Sequence, residues 1–130
     1  QPSLGLLTVN ALTAAHGVLI PLETEYFALR GVALLIDTID KVRERLNPSI
    51  RVDGIIATMY DSRTLHSKEV MERVVEAFGD TVLDTVIGKT VKFPDASVAG
   101  VPITEFAPNH ASAQTYRQLA RELIARGSIA

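Results

Sequence analysis

The sequence predicts an α/β fold: a mostly parallel sheet with helices on both faces. Three observations predict it. Short apolar runs alternate with longer segments whose apolar residues recur at helical spacing, the signature of successive βαβ units. The short runs are nearly continuous in apolar residues, as strands covered on both faces are. Hydrophobic residues make up 47% of the 130 and charged residues 22%, which suits a packed core in one domain or a piece of one and not a disordered chain.

The elements follow in order. Residues 4–15 form a helix with Leu4, Leu7, Ala11 and Ala15 on one stripe. Ser3 is placed to cap it and Gly5 weakens it. Residues 18–22, Val-Leu-Ile-Pro-Leu, are the first strand, with Pro21 near its end. Residues 26–46 are the longest periodic segment. Val32, Leu35, Ile36, Ile39, Val42 and Leu46 line one face, and Asn47-Pro48 ends the helix. Residues 52–60 are a second strand; a hairpin at Asp53-Gly54 is rejected because residues 49–52 are too short and polar to pair. Residues 67–78 repeat apolar residues at Val70, Met71, Val74, Val75 and Phe78 and stop at Gly79. Residues 82–87 are the third strand. Residues 88–110, with Pro94, Gly100, Pro102 and Pro108, read as loop. Ser112 caps a closing helix through Ala113, Tyr116, Leu119, Ala120, Leu123 and Ile124, supported by a Glu122–Arg126 pair and ended by Gly127.

Composition narrows the function. There are no cysteines, so disulfides and cysteine-ligated zinc are excluded. A net charge of −2 argues against a coat of positive charge for nucleic acid but permits a local basic patch. No apolar run reaches the ~18–20 residues of a membrane span, and the start does not resemble a signal peptide. The first residue is Gln1 and not methionine, so the chain is expected to be processed or cut from something longer. Three strands are few for a parallel sheet, and the strand at 18–22 is too apolar for an edge. A strand-rich partner segment is therefore expected, and the isolated chain is expected to be marginal or to self-associate.

Individual motifs are weaker signals. Gly88-Lys89-Thr90 matches the last three letters of a phosphate-binding P-loop, but the required earlier glycine falls on Leu83, and Pro94 argues against the helix that must follow. His16, His66 and His110 lack metal-ligand spacing, and no nucleophile motif appears. Neither a metal site nor a catalytic residue is assigned. Glu23 and Glu25 flank Thr24; paired carboxylates suit acid–base work, but strand-end polarity is the commoner reading, with Glu25 at a dimer or nucleotide rim. Tyr26 and Phe27 are read as core or interface residues.

Three stretches, "PSLGLLTVNALTAA", "VLIPLETEYFALRGVALLIDTIDKV" and "LNPSIRVDGIIATMYDSRT", with "GVPI" at 100–103 and the last helix, resemble the C-terminal half of the ParA/Soj chromosome- and plasmid-partition ATPases. The resemblance runs from Pro2 to about Arg126 and implies that residues 1–130 are the C-terminal half of a P-loop NTPase-like domain. It implies a deviant Walker-type ATPase that uses ATP and Mg2+, forms an ATP-sandwiched homodimer, binds DNA without sequence preference and responds to a ParB-like activator. The P-loop and hydrolytic centre lie in the family's N-terminal half, so this chain alone is expected to be inactive and to bind no cofactor. A cytoplasmic, nucleoid-associated place and no membrane contact are implied too. Gln1 stands where the family usually has proline.

The same resemblance implies site residues. Gly88, Lys89 and Thr90 align with the family's Pro-Arg-Asn near the adenine. Ligands of open parallel sheets sit beyond the carboxyl ends of the strands, so Thr58, Met59, Gly88, Lys89 and Thr90 are candidates for the base end of a nucleotide, with Asp95 as an acidic neighbour. Arg63 and Lys92 align with family arginines implicated in DNA binding, where cations neutralise phosphates. Two alternatives stay open. One is a P-loop-less interaction module docking through an open sheet edge. The other is a MinD-like membrane-positioned relative, against which the closing helix needs its apolar stripe for the core and leaves only four residues after Arg126.

Overall fold

The structure, a computed structural model, describes residues 4–25 and 29–128. Helix α1 (Leu6–Ala14) leads into strand β1 (Gly17–Glu23), helix α2 (Leu29–Arg45), strand β2 (Arg51–Tyr60), helix α3 (Leu65–Phe78) and strand β3 (Val82–Gly88). Helices α4 (Lys92–Ala99), α5 (Ile103–Phe106) and α6 (Ala111–Ala125) complete the chain. The sheet order is β1-β2-β3, both pairs parallel, so each crossover carries one helix.

The two faces of the sheet carry separate cores. On one, Ile20, Leu22, Ile55 and Val82 pack with Leu12 of α1, Val32, Ile39 and Val42 of α2, and Val70 and Val74 of α3. On the other, Ile56, Leu83 and Ile87 meet Leu119 and Leu123 of α6. A smaller cluster of Ala96, Ile103 and Ala113 joins α4, α5 and α6. Gly54 is required where β2 passes β3, because a Cβ there would stand 2.6 Å from the side chain of buried Leu83.

The periodic stripes of α2, α3 and α6 select the buried residues, with Leu46, Val75, Tyr116, Ala120 and Ile124 left exposed at their margins. That of α1 does not. Leu12 is its buried residue while Leu4, Leu7 and Ala11 face out, because a segment apolar on all sides has no periodicity to choose a face. Expected cap Ser3 and the helical start at 26–28 lie outside the described residues. The expected cap Ser112 lies inside α6, and the ring of His110 caps that helix by accepting from the Ser112 N–H; before α3, Thr64 accepts from the Ser67 N–H.

The reading of residues 88–110 as loop is corrected by α4 and α5. Pro94 is the third residue of α4, inside the first turn, where the N–H that proline lacks would have no helical partner anyway. Gly100, at φ 72°, ends that helix.

The edges of the sheet are finished differently. Along β3, the Glu122 carboxylate of α6 accepts from the N–H of Asp84 (2.7 Å), the N–H of Thr85 (2.8 Å) and the Thr85 hydroxyl (2.7 Å). Arg126, one turn on, donates to the carbonyls of Asp80 (2.9 Å) and Val82 (3.2 Å) and pairs with Glu122 at 3.4 Å. Burial pushes the Glu122 carboxyl up, but the Thr85 hydroxyl, the two N–H groups and Arg126 outweigh it and hold its pKa below the ordinary value. Along β1, Leu19 and Pro21 are exposed, and β2 is the strand's sole sheet neighbour among the described residues. At the amino end of the sheet, the Asn47 amide donates to the carbonyls of Leu12 (3.0 Å) and Ala15 (2.9 Å), tying down the last turn of α1.

Candidate functional site

At the carboxyl end of the sheet, the main chain of β2 is held from both sides. The Thr58 carbonyl accepts from the Thr24 N–H (3.0 Å) and the Thr24 hydroxyl (2.9 Å), and Thr24 is fully buried. The Tyr60 carbonyl accepts from the Lys89 N–H at 3.0 Å. Between these clamps Met59 adopts φ 55°, a left-handed conformation uncommon for a residue with a side chain. The β2–β3 register shifts between Ala57 and Tyr60. Such a bulge re-aims a side chain at a strand end.

Met59 lines a cavity of about 720 Å³ with Arg63, Lys89, Thr90, Val91, Phe93, Pro94 and Ser97. The size is that of a small-molecule site. Its walls divide chemically: Met59, Val91, Phe93 and Pro94 are apolar, and Arg63, Lys89, Thr90 and Ser97 offer two cations and two hydroxyls. Phe93 is seated edge-on against Tyr116, ring centroids 5.6 Å apart at 81°. The Lys92 N–H donates to the Thr90 hydroxyl at 3.2 Å, which fixes the start of α4 beside this cavity.

The structure thus brings Met59, Lys89 and Thr90 together and adds Arg63, expected with Lys92 to contact DNA, to the same walls. Thr58 is adjacent, but its carbonyl is occupied by Thr24. Gly88 is the last residue of β3, pairs with Tyr60 and does not line the cavity. Lys92 is the first residue of α4, half-buried; Asp95 is exposed on the same helix and outside the cavity lining. The argument that no helix follows Gly88-Lys89-Thr90 is corrected, since α4 begins at Lys92. The P-loop match still fails, because Leu83 to Gly88 is strand and Leu83 is buried in the core.

Charge at this end is paired, once within the turn after β2 and once between the ends of β1 and β3. The Asp61 carboxylate takes both Nε and Nη2 of Arg63 at 3.0 Å and also the Arg63 N–H at 3.0 Å. These bonds, with the nearby Lys89, hold the Asp61 carboxyl down at about 2, and Asp61 in turn raises the Arg63 pKa. The Lys89 ammonium pairs with the Glu25 carboxylate beyond β1. The Glu25 carbonyl meets His66 Nε2 of α3 at 2.9 Å. Sequence reading missed Asp61, which lies two residues from Arg63, and Thr24. It also missed Val91, Phe93, Pro94 and Ser97, which sat in a supposed loop. Among the described residues no group of three or more His, Cys, Asp or Glu is arranged to hold a metal ion. None of the described helices is long and apolar enough to cross a membrane.

Comparison with known proteins places this geometry. The family described as AAA domain matches residues 1–52. An uncharacterised protein of Mycobacterium tuberculosis is 64% identical over 126 residues, 97% of this chain and 40% of that protein. The chromosome-partitioning ATPase Soj of Treponema pallidum is 46% identical over 125 residues, 96% of this chain and 49% of that protein. A crystal structure of cobyrinic acid a,c-diamide synthase from Mycobacterium smegmatis superposes with a TM-score of 0.74 at 36% identity, over 95% of this chain and 43% of that one. The same synthase with ADP and magnesium bound matches 68% of this chain and 36% of that one at 45% identity and a TM-score of 0.63. The chain spans 40–49% of the length of these two relatives. Near-complete alignment at this identity, on a parallel sheet of the P-loop NTPase type, makes the chain a member of the ParA/Soj-type family.

Proposed function

We propose that residues 1–130 are the C-terminal half of a ParA/Soj-type ATPase domain. In this reading the phosphate-handling half lies earlier on the same polypeptide. The whole protein dimerises with ATP and Mg2+, binds DNA without sequence preference in chromosome or plasmid partitioning, and is stimulated to hydrolyse ATP by a ParB-like partner. The observation that carries the proposal is the cavity beyond the carboxyl ends of β2 and β3, where nucleotides meet open parallel sheets. Its apolar wall of Met59, Val91, Phe93 and Pro94 suits a base, and Thr90 and Ser97 offer hydroxyls to a ribose. No Mg2+ ligand is assigned to the described residues.

Two further features support a missing half. The exposed edge of β1, with Leu19 and Pro21, adjoins no second strand among the described residues. Leu6 and Leu7 of α1 are 75% and 66% exposed, an apolar surface that a larger domain would cover. At the rim of the cavity Arg63 is 87% exposed, and Lys92 forms no ion pair among the described residues, which suits contact with phosphates.

The test is DNA binding by the full-length protein with and without ATP. Wild type is expected to bind only with ATP, and Arg63→Glu to abolish binding. Full affinity in that variant, or no dependence of wild-type affinity on salt, overturns the reading. A second reading comes from the name of the matched Mycobacterium smegmatis structure. ATP-dependent amide formation on cobyrinic acid by the full-length protein would favour it instead.

A further inference from the structure

We infer that Asp61 and Glu25 are built-in counter-ions that hold Arg63 and Lys89 back from nucleic-acid phosphates, so that both cations, and not Arg63 alone, belong to the DNA-contacting surface. The inference rests on the DNA-binding reading above and extends it to Lys89 and to two carboxylates. Arg63 and Lys89 come from different elements yet line one cavity. Each is already engaged by an acid: Arg63 by both oxygens of Asp61, Lys89 by Glu25. Neither acid lines the cavity. The two cations therefore lie on the polar wall of the cavity, apart in chemistry from the apolar wall assigned above to the base, and solvent reaches both.

The exposures support exchange. The Arg63 side chain is 87% exposed against 20% for Asp61, and Lys89 is 54% exposed against 27% for Glu25. In both pairs the acid is the fixed member and the base the one that solvent reaches. Asp61 is further fixed by the turn it closes, accepting the Arg63 N–H while its carbonyl accepts from the Thr64 N–H and hydroxyl. The Glu25 carbonyl is held by His66. A phosphate is a second planar-fork partner for a guanidinium and a second point charge for an ammonium. Moving each base from its carboxylate to a phosphate exchanges one ion pair for another and releases a condensed counter-ion from the DNA.

The sign of the prediction is unusual, since removing an acid is expected to strengthen binding while leaving both bases in place. Asp61→Asn keeps an oxygen for the Arg63 N–H, so the turn is retained, and Glu25→Gln keeps the His66 contact, which is to main chain. In the full-length protein with ATP, each variant is expected to bind a short DNA duplex more tightly, by up to about five-fold, the size of an exposed ion pair. Because wild type and variant place the same two cations on phosphates, the slope of log affinity against log salt should stay that of wild type, and the gain should persist between about 50 and 200 mM salt. Asp61→Glu, which restores the charge, should return to wild-type affinity. Lys89→Gln should weaken DNA binding and flatten the slope with its ATP affinity, measured separately, unchanged; a matching loss of ATP affinity would put Lys89 on the nucleotide and overturn its part in the inference.

The outcomes separate the two readings. If wild type fails to bind DNA, or Arg63→Glu is without effect, the DNA-binding reading falls and takes this inference with it. If Arg63→Glu abolishes binding but Asp61→Asn and Glu25→Gln bind as wild type or more weakly, the carboxylates position the bases and do not restrain them. In that case this inference alone is overturned. Thermal unfolding of each variant identifies any that fails to fold.

Discussion

The edge of the sheet at β3 and the edge at β1 have the same backbone chemistry and opposite treatment. At β3, two N–H groups and a hydroxyl end on one carboxylate, and two carbonyls end on one guanidinium, both from α6. At β1, the described residues supply no such cover, and exposed Leu19 lies beside Pro21. Unpaired strand edges invite further pairing, and proteins normally blunt them. Among the described residues, then, one edge is blunted by side chains and the other is left apolar. Pro21 removes a single donor from the open side, which weakens it as a template without closing it.

Breaking the closed edge should have the largest effect. Glu122→Ala leaves three donors and Arg126 without their acceptor, and a destabilisation of about 3 kcal/mol is expected from unfulfilled, partly buried donors. Urea unfolding measures it; a loss below about 1 kcal/mol would mean that water serves that edge as well as the carboxylate does. The open edge should respond less here and more in a longer protein. Leu19→Lys is expected to change the stability of the 130-residue chain by under about 0.5 kcal/mol, as exposed substitutions do. In a full-length protein that buries this edge it should cost about 2 kcal/mol, because a desolvated amine would have no partner. Equal effects in the two would show that β1 is a true edge.

The third effect sharpens the comparison through pH. Glu122 has a folded-state pKa below its ordinary 4.5, and Asp61 is lowered from 3.8 to about 2. Lowered carboxyls add stability that is fully present above the ordinary values and is lost as pH falls through the folded-state values. Acid unfolding should therefore begin below about pH 4.5. Glu122→Gln should flatten the early part of that decline, and Asp61→Asn the part nearer pH 2. A variant whose acid limb matches wild type would show that its carboxyl does not titrate with unfolding.

The sequence carried the sheet, its parallel sense and the buried stripes of three helices, because amphipathic spacing reports directly on burial in α2, α3 and α6. It did not carry α4, where Pro94 was weighed as a breaker although the first helical turn tolerates it. Nor did it carry the buried face of α1, whose leucines lie on several sides. The meeting of Met59, Lys89 and Thr90 at one cavity was legible, because all three lie at or just beyond the carboxyl ends of β2 and β3. The pairing of Lys89 with Glu25 was not, because it joins residues 64 positions apart and depends on how far two strands run. The left-handed turn at Met59 was equally hidden, since nothing in a methionine announces it.

The hold of Asn47 on α1 bears on the order in which the molecule comes apart. That helix has one buried side chain, Leu12, and the carbonyls of Leu12 and Ala15 are tethered by a single amide from 35 and 32 residues away. Release of that amide would let nine residues fray while the three strands stay joined. In the 130-residue chain α1 is thus expected to open before the sheet does, which hydrogen exchange would read as weaker protection of residues 6–14 than of β2.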